Sequence, residues 1–381
     1  ASSSGLATRP HPTFLLQRLS LFHEARVHLS TLSSRMAPKF DVTPQKEGSV
    51  PSYLYRQLFF TPQQVAGVSL EGKTAIVTGS NCGVGLECSR QLLDLGISRL
   101  ILAVRSQERG QAAAADLSRE RNLTGRSIEV WELDYLSYDS VRAFADRTRS
   151  LERIDLVILN AGSLPAKQTL NPQTGHDECV QVNYLSMCLL LVLLLDVIRT
   201  KPNSQPTRIT ITSSDGAAWT KFSEKTQKPL LSALDKPAHW SAIDRQFLTK
   251  LLGQFFVAKL ATVVSPSMAV INLATPGMVH DSNMNRETKA QLASKIVEPI
   301  RRKLGYTSAM AARLILDAAV NHGPESHGQY LSEQKIKPMA PIIYTTEGEA
   351  LRDQIWEETL AEFSFADIRN IVDRFKGIYE A

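Results

Sequence analysis

Cysteine is scarce. The four residues present, Cys82, Cys88, Cys179 and Cys188, form no CxxC pair and stand in no His-spaced metal pattern. That argues against a disulfide-stapled scaffold and a structural metal site, and it fits a reducing compartment. We therefore expect a cytoplasmic protein with no bound metal. Long apolar runs are missing too: the longest, Met187 to Leu195, stops at Asp196, far short of the ~20 residues a bilayer span requires. No membrane span is expected. Acids are nearly absent from the first forty residues, where Arg9, Arg18, Arg26, Arg35 and Lys39 face Glu24 alone. This segment carries +4 of the formal +5 of the chain, so the other 341 residues sum to +1. Such a balance leaves no basic face for a polyanion, and a nucleic-acid partner is not expected. With 20 Gly, 18 Pro and 43% hydrophobic residues, neither a collagen nor a disordered chain fits.

The Ser- and Arg-rich opening also holds a short apolar stretch, Phe14 to Phe22. Two readings stand beside each other. Residues 1–40 form a leader, tag or disordered tail outside the fold, since the chain does not begin with Met and Met36 opens MAPKF. Alternatively, residues 1–35 act as a mitochondrial targeting segment. Residues 41–70 then read as an approach segment, with Leu54, Tyr55, Phe59 and Phe60 available to pack on the body.

From Lys73 onward, short β-rich runs alternate with amphipathic stretches. Strands are expected at Thr74–Val77, Leu100–Val104, Ser127–Leu133, Leu156–Leu159, Arg208–Thr212 and Ala269–Leu273. Helices are expected through Leu95, then at Ser106–Arg121, Val141–Leu151, His176–Ile198 and Phe247–Val264. Alternation of this kind implies parallel strands joined by right-handed helical crossovers, and continuous apolar strands such as LVIL imply a sheet covered on both faces. The fold class is therefore α/β, a Rossmann-like doubly wound parallel sheet in one domain, spanning about residues 71–335.

TGSNCGVG, Thr78 to Gly85, follows the first strand and opens a helix. Gly79 permits a tight turn, Gly83 lets the backbone approach a pyrophosphate, and Gly85 allows close helix–strand packing. The helix N-terminus adds unpaired N–H groups for the phosphates. A glycine triplet alone is weak evidence; its place between strand and helix makes it a nucleotide loop. Twenty positions beyond Gly85 the second strand ends at Arg105, where an NAD site has a carboxylate and an Arg suits a 2′-phosphate. The cofactor expected is NADP (NADPH).

These residues resemble the short-chain dehydrogenase/reductase family, close to its retinol-dehydrogenase-like branch and the reductases of natural-product pathways, over about Leu70 to Leu331. TGSNCGVG matches the TGxxxGxG of the family, with Ser80, Asn81 and Val84 inside it. Asp134 in LDYLS sits where the family has an Asp near the adenine. Asn160, Ala161 and Gly162 match its NAG motif, and Asn183 in QVN matches the tetrad Asn that holds a helix distortion and a water relay. Ser214 in ITSSDG matches the catalytic Ser. Pro276 and Gly277 match the PG motif beside the nicotinamide, and Tyr330 and Leu331 resemble the last core strand. The resemblance also implies a small-molecule substrate and a homo-oligomer.

One motif is broken. The YxxxK of the family falls on DRQFLTKLLGQFF, where Lys250 takes the Lys position and Gln246 stands in place of Tyr. No register shift rescues it, because no tyrosine lies between Tyr184 and Tyr306. In the family mechanism that Tyr hands a proton to the carbonyl oxygen, and a carboxamide does not titrate near neutrality. Losing a positioned acid typically costs about 10²–10⁴-fold. The catalytic candidates are then Ser214, Lys250, Asn183 and Gln246. Three readings follow: an NADP(H)-dependent oxidoreductase whose substrate needs no Tyr acid, such as an iminium or activated carbonyl/enone; a cyclase or rearrangement enzyme that keeps NADP without turnover; or a non-catalytic binding protein, with an introduced Gln246 that traps a complex in the same class. Asp215, Asp244 and His239 are the nearby titratable groups, and each reads first as a surface residue.

The resemblance implies that residues 278–305 form a helical lid over the substrate, with Met278, Val279, Met284 and Leu292 as apolar contacts. Trp219, Phe222 and Trp240 either pack in the core or form the opposing wall; if they line the pocket, the substrate is bulky and apolar. The tail, residues 336–381, reads as a C-terminal helical extension, with Ile355, Trp356, Leu360, Phe363, Ile371 and Phe375 at helical spacing.

Overall fold

Apolar β-branched runs build the centre of the molecule. In a computed structural model describing residues 40–119, 121–202, 204–282 and 302–379, seven of them pair as parallel strands: β1 (Thr74–Thr78), β2 (Arg99–Val104), β3 (Ser127–Glu132), β4 (Leu156–Leu159), β5 (Thr207–Thr212), β6 (Ala269–Ala274) and β7 (Tyr330–Ser332). An eighth, β8 (Lys335–Lys337), runs antiparallel to β7. The order is β3-β2-β1-β4-β5-β6-β7-β8. Successive strands are added to one side through β3 and to the other from β4, so the order reverses between the parallel neighbours β1 and β4, and ligands in such sheets bind outside the strands' carboxyl ends at that switch point.

Helices cover both faces. In chain order they are α1 (Val50–Phe59), α2 (Gly83–Asp94), α3 (Gln107–Ser118), α4 (Tyr138–Thr148), α5 (Ser186–Ile198), α6 (Leu230–Asp235), α7 (Ala242–Leu260), α8 (Ser308–Val320), α9 (Thr346–Glu362) and α10 (Ile368–Tyr379). One core joins the sheet to α2, α3 and α8 through Leu92, Leu117 and Ile315. The other joins it to α4, α5, α7, α9 and α10 through Phe144, Leu190, Phe255, Ile355 and Phe375. The run Glu178–Ile198 is apolar and long enough to cross a membrane, but 89% of its most apolar stretch is buried inside the protein. Asp196 at its end is met by Arg149, Arg199 and Arg374. Burial pushes that carboxyl up, and hydrogen bonds from the guanidiniums more than offset it, leaving the group below its usual range.

Three expectations change. The stretch expected as one helix from His176 starts at Glu178, and the distortion that the resemblance puts at Asn183 takes the form of a π turn, Gln181–Leu185, before α5. The boundary of the tail shifts: β8 straddles the divide expected at 335/336, while Ile355, Trp356, Leu360, Phe363, Ile371 and Phe375 pack, at their expected helical spacing, into the core of α5 and α7. The approach segment packs by its other face. Leu54, Tyr55 and Phe59 are exposed, as are Val50 and Leu58, whereas Arg56 and Gln57 are buried. The reason is electrostatic: α1 meets a buried carboxylate and open backbone groups, which an apolar face cannot satisfy.

Candidate active site

The glycine loop leaves β1 with no room for side chains. A Cβ on Gly85 would sit 2.5 Å from the Gly79 carbonyl oxygen and 2.6 Å from Asn160 Nδ2. Gly79 has φ +65°, and its Cβ would lie 2.9 Å from Ala161 Cα, so both conformation and space demand glycine there. Thr78 Oγ1 accepts hydrogen bonds from the Asn160 and Ala161 amides, and Asn160 Nδ2 donates to the Thr78 carbonyl. These bonds join the glycine loop to the Asn160–Ala161–Gly162 turn at the β1/β4 switch point. Helix α2 then begins at Gly83 with no side-chain cap, leaving its first amides available to an anion. Ser80 Oγ is buried and has no hydrogen-bond partner among the described residues. Arg105 is exposed just past β2, and Asp134, just past β3, accepts from the Leu136 amide. The clash-limited cradle, the open helix end and the orphan Ser80 hydroxyl fit a dinucleotide.

The chemistry-bearing side chains gather beyond β5. Ser214 accepts from the Gly216 amide at 3.1 Å, which leaves its own proton to donate. Lys250 Nζ donates to the Thr212 carbonyl at 2.7 Å, two residues before Ser214. Burial pushes the Lys250 ammonium down to about 8, and the Cys179 thiol opposes this weakly. Asn183 sits within the π turn. Its Oδ1 accepts from the Ser163 amide at 2.7 Å and its Nδ2 donates to the Ser163 carbonyl at 2.9 Å. A π turn displaces one residue from helical register, which turns the Asn183 amide toward the loop after β4. Gln246 is half-buried on α7, one turn before Lys250; Thr249 Oγ1 donates to its carbonyl. Pro276 and Gly277 follow β6, and Gly277 has φ +67°.

Other candidates move away from the site. His239 is exposed. Asp244 Oδ1 caps the Lys221 amide. Of the expected wall, Phe222 is 2% exposed in the core, and Trp240 Nε1 donates to Asp177 Oδ2. Trp219 remains near the site, edge-on to Tyr53 at 4.8 Å and to Phe247 at 5.6 Å. Met284 and Leu292, with most of the expected lid, lie outside the described residues.

The sequence reading named Asp215 as a surface residue and missed its burial. Its side chain is 8% exposed and pairs with Arg56 Nη2 at 2.9 Å, while Thr275 Oγ1 donates to its other oxygen at 2.7 Å. Gln57 was missed as well; it accepts from the Met278 amide at 2.8 Å and donates to the Leu304 carbonyl at 3.0 Å. A signal existed in the 53, 56, 57, 60 spacing, which places Tyr53, Arg56, Gln57 and Phe60 on one helical face.

Comparison with known proteins agrees with this geometry. The family model described as short chain dehydrogenase matches residues 73–223. The short-chain dehydrogenase fogG of Aspergillus ruber is 42% identical over 345 residues, covering 89% of this chain and 99% of that one. The chain belongs to the short-chain dehydrogenase/reductase family. Another relative, the short chain dehydrogenase/reductase mfmJ of Annulohypoxylon moriforme, is 37% identical, with 90% and 100% covered. Among solved structures, a short-chain type dehydrogenase/reductase from Mycobacterium marinum shares the fold at a TM-score of 0.54 and 17% identity, covering 73% of this chain and 97% of its own. A short chain dehydrogenase from Burkholderia cenocepacia, solved in complex with NADP, does so at 0.51 and 20% identity, covering 69% and 96%. The family-model match ends at residue 223, before the helix of this family member that carries Gln246 and Lys250.

Proposed function

We propose that this chain is an NADP(H)-dependent oxidoreductase that reduces a bulky, apolar, natural-product or lipid-like substrate at a centre that needs no tyrosine acid. The observation that carries the reading is Gln246, half-buried one turn before Lys250 on α7, where the family acid is due. The glycine cradle and Ser80 would hold the pyrophosphate side, Arg105 the 2′-phosphate, Asp134 and Asn160 the adenosine half, and Lys250, Pro276 and Gly277 the nicotinamide half. NADP complexes among proteins of the same fold support that assignment. When bound, the dinucleotide supplies hydride.

The chain's own groups supply the rest. Ser214 Oγ, already accepting from Gly216, turns its proton toward a substrate oxygen. The Gln246 amide can add a second donor, and the Lys250 cation favours negative charge developing there. None of this delivers a proton from Gln246, since the amide does not ionise. Two substrate classes escape that defect. An iminium carbon becomes an amine carbon on receiving hydride, with no proton required. An enone receives hydride at its β-carbon, the negative charge rests on an oxygen held by Ser214, and water protonates the α-carbon. The aromatic group Tyr53, Trp219 and Phe247 and the half-buried Met278 and Val279 favour an apolar ligand.

The test is NADPH oxidation, with product identified, against matched iminium, enone and simple ketone substrates. Turnover of the first two classes well above the third is expected. Equal or faster ketone reduction, or NADPH binding that no substrate of these classes discharges, would overturn the reading.

A further inference from the structure

We propose that the N-terminal segment Thr43–Phe60 is a strap that sets the geometry of both walls of the substrate cleft, with Arg56 as its positioning residue. The contacts are specific and reach two separate walls. On the Ser214 side, Arg56 Nη2 holds Asp215 at 2.9 Å, and the Trp219 indole N–H donates to the Gly48 carbonyl at 2.7 Å. On the nicotinamide side, Gln57 takes the Met278 amide at 2.8 Å and gives to the Leu304 carbonyl at 3.0 Å. Tyr306 OH donates to the Phe60 carbonyl at 2.8 Å. A Cβ on Gly277 would lie 2.9 Å from Gln57 Oε1, so strap and loop are in van der Waals contact as well.

The two walls are also joined to each other beneath the strap. Thr275 Oγ1 donates to Asp215 at 2.7 Å and accepts from the Gly277 amide at 3.2 Å. One chain of bonds therefore runs from Glu47 through Arg56, Asp215 and Thr275 to Gly277. Asp215 follows Ser214 directly, so moving its carboxylate moves the turn that presents the Ser214 hydroxyl. The Arg56 and Asp215 side chains are 9% and 8% exposed. Buried this way, the pair is lost only by leaving a charge without its partner, which makes the arrangement hard to relax. The fork of a guanidinium also spans Glu47 and Asp215 at once, a geometry an ammonium reproduces in part.

The kinetic consequence rests on the function proposed above; the structural one does not, and the experiment separates them. The full chain and its Arg56→Met, Arg56→Lys and Gln57→Ala variants are compared by hydrogen exchange and by steady-state turnover. In Arg56→Met the Gly216, Gly277 and Met278 amides should exchange about tenfold or more faster, while Ala75–Val77 of β1 are unchanged, as expected for local opening. Arg56→Lys should lie between. Gln57→Ala, which keeps the ion pair, should speed Met278 alone. Turnover in Arg56→Met should fall about 10- to 100-fold, the range for a misplaced reacting group, with KM for NADPH within about threefold and partial rescue by Lys. Unchanged exchange at Gly277 and Met278, or a rise spread evenly over the whole sheet, overturns the strap. A parent that turns over no substrate sinks the function reading, and the exchange pattern still decides the strap.

Discussion

Restoring the missing phenol is the sharpest perturbation. Residues 246 and 250 lie one turn apart on the same face of α7 (Ala242–Leu260), so a Gln246→Tyr side chain projects beside the Lys250 ammonium. A cation at ~5 Å in an effective dielectric near 20 favours the phenolate by about 3 kcal/mol, which is about two pKa units. That brings a phenol toward the pH range where general acids work best. A positioned acid is worth about 10²–10⁴-fold, or about 2.7–5.4 kcal/mol of barrier. Ketone reduction, followed as NADPH consumption at saturating cofactor, should therefore rise by at least about 100-fold in the variant. Iminium reduction should change by less than about tenfold, since no proton is needed there. If ketone turnover stays flat while the variant binds NADPH and melts like its parent, then Ser214 and Lys250 do not frame a substrate oxygen and the reasoning fails.

Three further outcomes follow from the geometry. Gly85→Ala gains about 1 kcal/mol of helix propensity but forces a methyl to 2.5 Å from the Gly79 carbonyl, an overpacking cost of about 1–3 kcal/mol; NADPH affinity should drop at least about tenfold in a titration while urea stability shifts by less than about 2 kcal/mol. His176 lies 2.8 Å from Asp235 and 3.1 Å from Glu362; burial lowers its pKa, but the hydrogen bonds to both carboxylates outweigh this and raise it to about 9. Its stabilising contribution is thus full below about pH 6.5, fades as pH rises toward 9, and is lost above it. The unfolding free energy of the parent should fall across that window by up to about 3 kcal/mol, read from urea melts at each pH, and His176→Gln should flatten the slope. Asn183→Ala removes both partners of the Ser163 backbone and should destabilise by about 1–3 kcal/mol in urea; equal stability would show that water replaces the amide.

The strands and the glycine loop were legible because their signals are local. Buried parallel strands need continuous apolar runs, and Thr74–Val77, Leu100–Val104 and Leu156–Leu159 reappear within a residue of the reading. The C-terminal helices were legible as well, through the helical spacing of Ile355, Trp356, Leu360 and Phe363. The strap was not. Arg56 lies 159 positions from Asp215 and Gln57 lies 247 from Leu304, and no local pattern reports such a pairing. Apolar Leu54, Tyr55 and Phe59 invited burial, but buried polar groups at the cleft took the inward face for Arg56 and Gln57. The π turn was legible only through the family resemblance, which puts a helix distortion at Asn183; no local pattern in QVNYL signals it, and the Ser163 backbone shows why Asn183 leaves register. Strand β8 has just three residues, below what alternation can signal.

The most direct test of the cofactor site on which the account rests is fluorescence titration of the full chain with NADPH and NADH, with Arg105→Ala alongside. The account predicts NADPH binding at least about tenfold tighter than NADH, with that preference lost when Arg105 is removed, the loss of one charge-assisted phosphate contact. Failure of both nucleotides to bind at about millimolar concentration, where even weak specific sites fill, would contradict it and leave only a cofactor-free role.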